Sequence, residues 1–186
     1  MAPNKVTQEA NRERARRVLD RLTEAYPDAR CSLDFKNPLQ LLVATILAAQ
    51  CTDDRVNLTT PSLFKRYQAP KDYGAAPDEE VQEAVRSCGF YRQKAKAIKR
   101  ACQTIMDRFD GAVPGTMAEL LQLEGVGRKT ANVLLGECFN TPGIIVDTHC
   151  KRVSARLCFT KSAEPGKIEQ DLMRLIPEAR WTGFSH

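Results

Sequence analysis

Lys129 and Asp147 are the two side chains whose types could do chemistry together. A lysine amine is a nucleophile only when neutral, whereas at pH 7 an ordinary lysine is protonated. The positive end of a helix dipole and burial both favour the neutral amine. A carboxylate placed nearby could accept a proton or stabilise positive charge. The alternative for Asp147 is a plain helix N-cap, which stabilises a helix by about 1 kcal/mol.

The stretch Leu123 to Asn132 must position the lysine. Gly125 suits the left-handed turn that closes a preceding helix, and a second helix is predicted to begin just after Gly127 and to run to about Phe139. The outward N–H groups of such a hairpin, together with the helix dipole, hold a phosphate. The alternative is an ordinary glycine-rich loop between surface helices. Taken alone, the glycine–valine–glycine motif favours that alternative.

The composition is that of a globular chain able to bind nucleic acid. Its 186 residues are 42% hydrophobic and 27% charged, which excludes the disordered class. A net charge of +5 is compatible with nucleic acid but does not establish it. No apolar run approaches membrane-spanning length and the first thirty residues carry no apolar signal region. We therefore expect no membrane association and a cytoplasmic protein, or a nuclear one in a eukaryote.

The seven cysteines form no C-x-x-C pair and most of them fall among apolar residues. They predict reduced core thiols of an intracellular protein, without a zinc site or a disulfide framework.

The pattern along the chain is typical of an all-α protein with short loops, and no segment is long enough to build a sheet. Asp147 follows a short extended piece, Ile144 to Val146, and begins a helix that bears Val153 and Leu157. Pro61 predicts a kink or a restart, and residues 69–77 are predicted as loop. The other predicted helices cover 7–25, 38–50, 53–67, 78–87, 92–109, 116–123, 128–139 and 165–176.

Two turns adjoin helices with clear apolar patterns. Asn37 is predicted to cap a helix whose first residue is Pro38. Residues 39–49 are almost all apolar, which predicts that this helix is buried on every side and delivers Gln50 to a polar rim. By itself Gln50 is more typical of a capping or surface residue. Phe90 lies in the turn before a helix with an apolar stripe at helical spacing. An aromatic side chain there could stack on bases, although tethering to the core is the commoner role.

Three stretches resemble the endonuclease III family of helix-hairpin-helix base-excision DNA glycosylases. LEGVGRKTANVLLGECFNTPGIIVDTHCKRV looks like the family's hairpin, glycine-rich loop and catalytic aspartate. NPLQLLVATILAAQCTDDRVN and CGFYRQKAKAI extend the likeness, in order, over nearly the whole chain. Three ordered motifs are far more specific than the glycine motif alone, so the resemblance outweighs the plain-loop alternative.

The resemblance implies a two-lobed all-α fold with a DNA cleft between the lobes. One lobe would be a continuous six-helix barrel over 33–140, with the helix-hairpin-helix at about 117–139. The other would combine 1–32 with 141–186.

The resemblance also implies an activity. Such enzymes flip a damaged base out of duplex DNA, because the glycosidic carbon cannot be reached inside the stack. Lys129 would attack that carbon, form a Schiff base and nick the strand by β-elimination at the abasic site. Asp147 would assist departure of the base and the proton transfers. Adenine-removing relatives lack the lysine, so its presence indicates a bifunctional glycosylase and abasic-site (AP) lyase. The resemblance to endonuclease III implies that its substrates are oxidised pyrimidines.

Other family positions predict DNA contacts. Gln50 matches the residue that fills the gap left by the flipped nucleotide, and Phe90 matches an apolar wedge. The hairpin carbonyls could hold a monovalent cation. The partner implied is double-stranded DNA with damaged bases or abasic sites, bound by a monomer. The hairpin residues expected to contact DNA are Gly125, Val126, Gly127, Arg128 and Thr130.

The sequence departs from the family at its end. Members continue into a four-cysteine loop, C-x6-C-x2-C-x5-C, that holds a 4Fe-4S cluster, whereas this sequence stops at His186 and none of its cysteines matches a ligand. The second lobe is therefore predicted to be incomplete, with apolar surface exposed on Leu172 and Leu175. The alternative to an active enzyme is a non-catalytic or inactive truncated helix-hairpin-helix module that binds DNA. Joint presence of Lys129 and Asp147 favours the enzyme.

Overall fold

The computed structural model describes the backbone of residues 5–185 and the side chains of residues 9–185. The chain divides into two compact units, Cys31–Asn140 and Met1–Arg30 with Thr141–His186. The assignment of 33–140 to a six-helix barrel and of the remainder to a second lobe stays a prediction. Residues 1–4 and 186 of that prediction lie outside the described part of the chain.

Helices make up the described chain, and residues 5–185 contain no strand. Short 3-10 helices occur at Arg86–Cys88 and Glu178–Arg180. The α-helices are α1 Lys5–Ala25, α2 Pro38–Ala48, α3 Asp53–Arg66, α4 Pro70–Ala75, α5 Asp78–Ala84, α6 Tyr91–Arg108, α7 Met117–Leu120, α8 Arg128–Cys138, α9 Thr148–Arg156, α10 Pro165–Leu175 and α11 Trp181–Ser185.

Helix α2 lies at the centre of the Cys31–Asn140 unit and packs against α3, α6 and α8. Its side chains from Leu39 to Leu47 are nearly all buried, as the unbroken apolar run predicts. Asn37 caps the helix because its Oδ1 accepts the Gln40 N–H at 3.0 Å, while Gln40 Oε1 accepts the Lys36 N–H at 2.8 Å. The cap predicted at Asn37 is confirmed.

Two local predictions for this unit need correction. Helix α3 continues through Pro61, so the restart predicted as one alternative at this proline is wrong, and a kink there stays a prediction. Residues predicted as loop contain α4. The Asp72 carboxylate accepts the N–H groups of Gln68 and Ala69 at 2.9 and 2.8 Å, and Tyr73 is buried. The hydrogen bonds of Asp72 and the burial of Tyr73 therefore stabilise a helix here, although the helical pattern of the sequence is weak.

The second unit has its own apolar cluster, formed by α1, α10 and the segments around α9. Leu172 is fully buried in this cluster and Leu175 is half-buried, so the exposure predicted for them is wrong. The reason is that α1 packs against α10 and contributes Ala15 and Leu19 to the same core. Helix α11 was not predicted. It is held where the Trp181 indole N–H donates to the Ile176 carbonyl at 2.8 Å.

The cysteines differ in exposure. Cys88 and Cys102 are buried in the core of the Cys31–Asn140 unit, whereas Cys158 is exposed, contrary to the general expectation of core thiols. Burial raises the pKa of the Cys102 thiol to about 12. Within the described residues, no helix combines the length and the apolar character needed to span a bilayer.

Candidate active site and DNA-contact residues

The hairpin turn is shaped by Gly125. Its φ of +82° lies in the left-handed region, and a Cβ there would stand 3.2 Å from Ala97 Cβ and 3.5 Å from Ile46 Cγ1. Both the backbone conformation and the close approach of α6 and α2 therefore require glycine. This confirms the left-handed turn predicted from the sequence. The preceding helix α7, capped by Thr116, ends at Leu120, three residues earlier than predicted, because Leu121 to Glu124 form turns.

Val126 anchors the loop and Gly127 starts the next helix. The Val126 side chain is 7% exposed, and its N–H donates to the Leu123 carbonyl at 3.1 Å. Gly127 is extended, with φ −97°, and its carbonyl accepts the Ala131 N–H at 2.9 Å. A glycine N-cap supplies no side chain, so the first N–H groups of α8 receive no cap from their own N-cap residue. The predicted helix start is confirmed.

Lys129 is the second residue of α8, in the first turn. It is exposed, as Arg128 is, while Thr130 is half-buried. Lys129 is therefore not buried at the start of α8, and its role as a nucleophile stays a prediction. On the opposite face of α8, Ala131 and Leu134 are buried in the core, which fixes the helix that carries the lysine.

Asp147 caps α9, as predicted. Its Oδ1 accepts the Cys150 N–H at 2.7 Å, and its carboxyl group is half-buried. This bond satisfies one of the N–H groups that a helix start leaves open. Lys129 belongs to the Cys31–Asn140 unit and Asp147 to the other unit, and their joint action in catalysis stays a prediction.

Gln50 and Phe90 share an unusual backbone conformation. Both are non-glycine residues with positive φ, +53° and +46° respectively. Both residues are exposed. Gln50 follows α2, and Phe90 immediately precedes α6 with its side chain 60% exposed. Strained backbone in non-glycine residues persists where the surroundings impose it, and it concentrates at functional sites. Their roles in DNA stay predictions, and this conformation supports them.

Sequence reasoning missed Lys94, which is 5% exposed. Its Nζ donates to the carbonyls of Leu47 and Cys88, each at 2.8 Å. One signal was available: Lys94 precedes Ile98 by four residues and Ala101 by seven, so it falls on the buried face of α6.

The cysteines that are present do not fit an iron–sulfur cluster. Such a cluster needs four cysteine ligands close together. Across residues 9–185, no group of three or more His, Cys, Asp or Glu side chains could hold a metal ion. A monovalent cation at the hairpin stays a prediction.

Comparison with known proteins identifies the family. Residues 43–178 match the profile of the HhH-GPD superfamily base excision DNA repair proteins. The chain is 51% identical over 177 residues to endonuclease III of Synechocystis sp., covering 95% of this chain and 81% of that protein. It is 45% identical over 170 residues to endonuclease III of Bacillus subtilis, covering 90% and 77%. The chain belongs to the HhH-GPD superfamily of base excision DNA repair proteins.

Solved structures agree with this assignment. A trapped endonuclease III–DNA covalent intermediate has a TM-score of 0.90 and 44% sequence identity, covering 94% of this chain and 83% of that one. A thermostable thymine-DNA glycosylase shares the fold, with a TM-score of 0.83 at 19% identity over 95% of this chain and 84% of that one. The predicted all-α, helix-hairpin-helix DNA glycosylase fold is confirmed.

Proposed function

We propose that this chain is a base-excision repair DNA glycosylase and AP lyase that removes oxidised pyrimidines from duplex DNA through a Schiff base on Lys129. One observation carries the proposal: a lysine lies in the first turn of the hairpin helix, inside the matched family region. The likeness to a trapped endonuclease III–DNA covalent intermediate, at a TM-score of 0.90, supports covalent chemistry.

The reaction begins with the neutral Lys129 amine. Its nitrogen attacks C1′ of the flipped nucleotide, the C1′–N bond breaks, and the damaged base leaves with the bonding electrons and takes up a proton. Loss of the amine proton and opening of the sugar ring give a Schiff base. Removal of a C2′ proton then breaks the C3′–O bond and expels the 3′-phosphate. Water finally hydrolyses the imine and returns the free lysine.

Asp147 supplies the carboxylate of this scheme. It stabilises positive charge as the base departs and accepts or returns a proton at the amine. The bond from the Cys150 N–H to its Oδ1 holds the carboxylate in one orientation at the start of α9. Charge stabilisation and proton acceptance need an ionised carboxylate and proton return needs its acid form, whereas an N-cap needs only a hydrogen-bond acceptor.

The hairpin holds the DNA backbone in this proposal. Gly125 and Gly127 keep the turn narrow, and N–H groups near Gly127, with the positive end of the α8 dipole, face a phosphate. Arg128 and Thr130 lie in the same turn and add contacts. Gln50 fills the gap that the flipped nucleotide leaves and Phe90 enters beside it as a wedge. The protein acts as a monomer on the genome, in the bacterial cytoplasm or the eukaryotic nucleus.

A direct assay tests this function. Under single-turnover conditions, the protein is incubated with duplexes that carry one thymine glycol, one abasic site or no lesion. We expect base loss and a β-elimination nick on the first duplex, a nick on the second and no product on the third. Binding of all three without any product would contradict the proposal and favour the inactive DNA-binding module.

A further inference from the structure

Lys94 joins two loops that carry candidate DNA-contact residues. The lysine projects from the first turn of α6, is 5% exposed, and lies within the Cys31–Asn140 unit. Its Nζ donates to Leu47 in the last turn of α2 and to Cys88 at the end of a 3-10 helix, each at 2.8 Å. One ammonium group therefore bonds to carbonyls at the carboxyl ends of two helical segments.

The chemistry of these ends suits a cation. Carbonyls in the last turn of a helix lack an N–H partner within the helix and carry the negative end of its dipole. Leu47 is fully buried and Cys88 is 2% exposed, so water is a poor substitute as a donor. A buried ammonium is costly unless its protons are bonded, and here the two carbonyls supply acceptors. The three groups stabilise one another and hold the two segments together.

Each carbonyl that accepts a hydrogen bond from the Lys94 ammonium group lies shortly before a residue with left-handed backbone. Gln50 follows Leu47 by three residues and Phe90 follows Cys88 by two. The main chain of Lys94 adds a third bond, because its N–H donates to the Phe90 carbonyl at 3.1 Å. Left-handed backbone is unfavourable for a glutamine or a phenylalanine and persists only where neighbouring bonds impose it. Lys94 supplies such bonds on both sides.

We propose that Lys94 is a positioning residue that fixes Gln50 and Phe90 relative to each other, so that both enter the duplex together when a nucleotide is flipped. The inference rests on the proposed function, since it assumes that these two side chains occupy the DNA. Lys94 itself touches neither the DNA nor the reacting atoms. It acts through the two loops, so its effect depends on the side chains that they carry.

A double-mutant cycle tests this dependence. Lys94→Met removes the ammonium group but keeps the length of the side chain. It is introduced into the wild-type protein and into a Gln50→Ala/Phe90→Ala background. The readout is 2-aminopurine fluorescence next to a tetrahydrofuran abasic-site analogue in duplex DNA, together with the single-turnover rate of thymine glycol removal at saturating protein. Circular dichroism and thermal melting first establish the temperature at which every variant is folded.

We expect Lys94→Met to lower both the fluorescence rise and the saturated rate on the order of tenfold in the wild-type background, as a misplacement of about 1 Å can do. In the Gln50→Ala/Phe90→Ala background, the same change should alter both by less than about twofold. Affinity for undamaged duplex should stay within about twofold throughout, because phosphate contacts are unaffected. Lys94→Arg keeps the charge and should restore part of the signal.

Lys99 offers a matched control on the same helix. Its Nζ donates to the carbonyl of Ala76, the C-cap residue of α4, at 2.6 Å and pairs with Asp78. It is therefore also a lysine of α6 that bonds a carbonyl at the end of a helix, but these two bonds go to Ala76 and Asp78 and not to the Gln50 or Phe90 loop. Lys99→Met should lower the melting temperature without changing fluorescence or rate in either background.

Three results would overturn the inference. Lys94→Met could change fluorescence and rate equally in both backgrounds, which would show a general effect on the fold. Wild-type protein could bind the tetrahydrofuran duplex without any fluorescence rise, which would remove the role of Gln50 and Phe90. Finally, Lys94→Met, Lys94→Gln and Lys94→Arg could all fail to fold, which would make Lys94 a residue of general stability. The fluorescence needs no catalysis, so an inactive wild-type protein would contradict the proposed function alone.

Discussion

Helices α8 and α9 begin in opposite ways. Helix α8 follows Gly127, which has no side chain to offer, whereas α9 follows Asp147, whose carboxylate accepts the Cys150 N–H at 2.7 Å. A helix start capped by glycine can present its N–H groups to an anion from outside. At a helix start capped by aspartate, the carboxylate of that residue already occupies the place of such an anion. One helix start is therefore suited to holding a DNA phosphate, and the other to holding a carboxylate in a fixed orientation.

Lys129 and Asp147 also differ in how well their charges suit the positive end of a helix dipole. Lys129 is exposed in the first turn of α8, where a cation is electrostatically unfavourable, while Asp147 lies where an anion is favourable. In the proposed mechanism, Lys129 at one helix start is the nucleophile and Asp147 at the other is its charged partner.

The largest effect is expected from the nucleophile. Lys129→Ala should lower the strand-nicking rate at an abasic site on the order of 10³-fold or more, because the substitution removes the amine that forms the proposed Schiff base. The measurement is single-turnover cleavage of abasic duplex followed by gel electrophoresis. Lys167→Ala provides the control, since Lys167 is also an exposed lysine in the first turn of a helix, paired with Glu164. Equal losses in both variants would remove the special role of Lys129.

Asp147 can be tested with its two roles separated. Asparagine caps helices about as well as aspartate but carries no charge. Asp147→Asn should therefore leave the free energy of unfolding nearly unchanged while the rate of base removal falls about 10²- to 10⁴-fold. Asp147→Ala should lose the same rate and also about 1 kcal/mol of stability. Urea unfolding and single-turnover kinetics supply the two readouts. An Asn variant with wild-type rate would leave Asp147 as a cap only.

The two hairpin glycines should respond differently to alanine. Gly125→Ala meets Ala97 Cβ at 3.2 Å and a φ of +82°, so it should cost about 1–3 kcal/mol in the free energy of unfolding. Gly127→Ala meets nothing within 4 Å, so it should unfold like the wild type but bind DNA more weakly if a phosphate approaches there. Urea titration and fluorescence anisotropy separate the two effects. Wild-type affinity in Gly127→Ala would place the phosphate elsewhere.

The smallest effect concerns the thiol next to the aspartate cap. Burial raises the pKa of the Cys150 thiol and the Asp147 charge raises it further, while the Ser154 hydroxyl lowers it. A raised folded pKa favours folding below the unfolded value of 9.0, and this contribution is lost as the pH rises through the folded pKa. Asp147→Asn should shift alkylation of Cys150 to lower pH, as measured by iodoacetamide labelling and peptide mass mapping. Unchanged labelling would show that the carboxylate does not act on the thiol.

The sequence predicts elements whose causes are local. Asn37 and Asp147 were correctly predicted as caps because an N-cap needs only a short polar side chain at a helix start, and Gly125 because its left-handed turn follows from its type. Helix α4 was missed because its local signal, the Asp72 hydrogen bonds, is reinforced by non-local burial: Tyr73 is buried and α4 packs against α6. Burial of Leu172 was missed for the same reason, since α1 supplies its partners.

Only part of the candidate site was predicted, because some of its contacts also join segments that are distant in the sequence. Motif order pointed to Lys129 and Asp147, yet nothing local showed that Lys94 bonds to Leu47 and Cys88. Those contacts join segments far apart along the chain, and only the folded backbone brings their carbonyls to one ammonium group.

The most direct test of the central claim is covalent trapping. Wild-type protein is mixed with abasic duplex and sodium borohydride, which reduces a Schiff base to a stable amine, and the adduct is digested and mapped by mass spectrometry. We expect a single adduct, on Lys129, and none with Lys129→Ala. An adduct on another lysine, or none from wild-type protein, would contradict a Schiff base on Lys129.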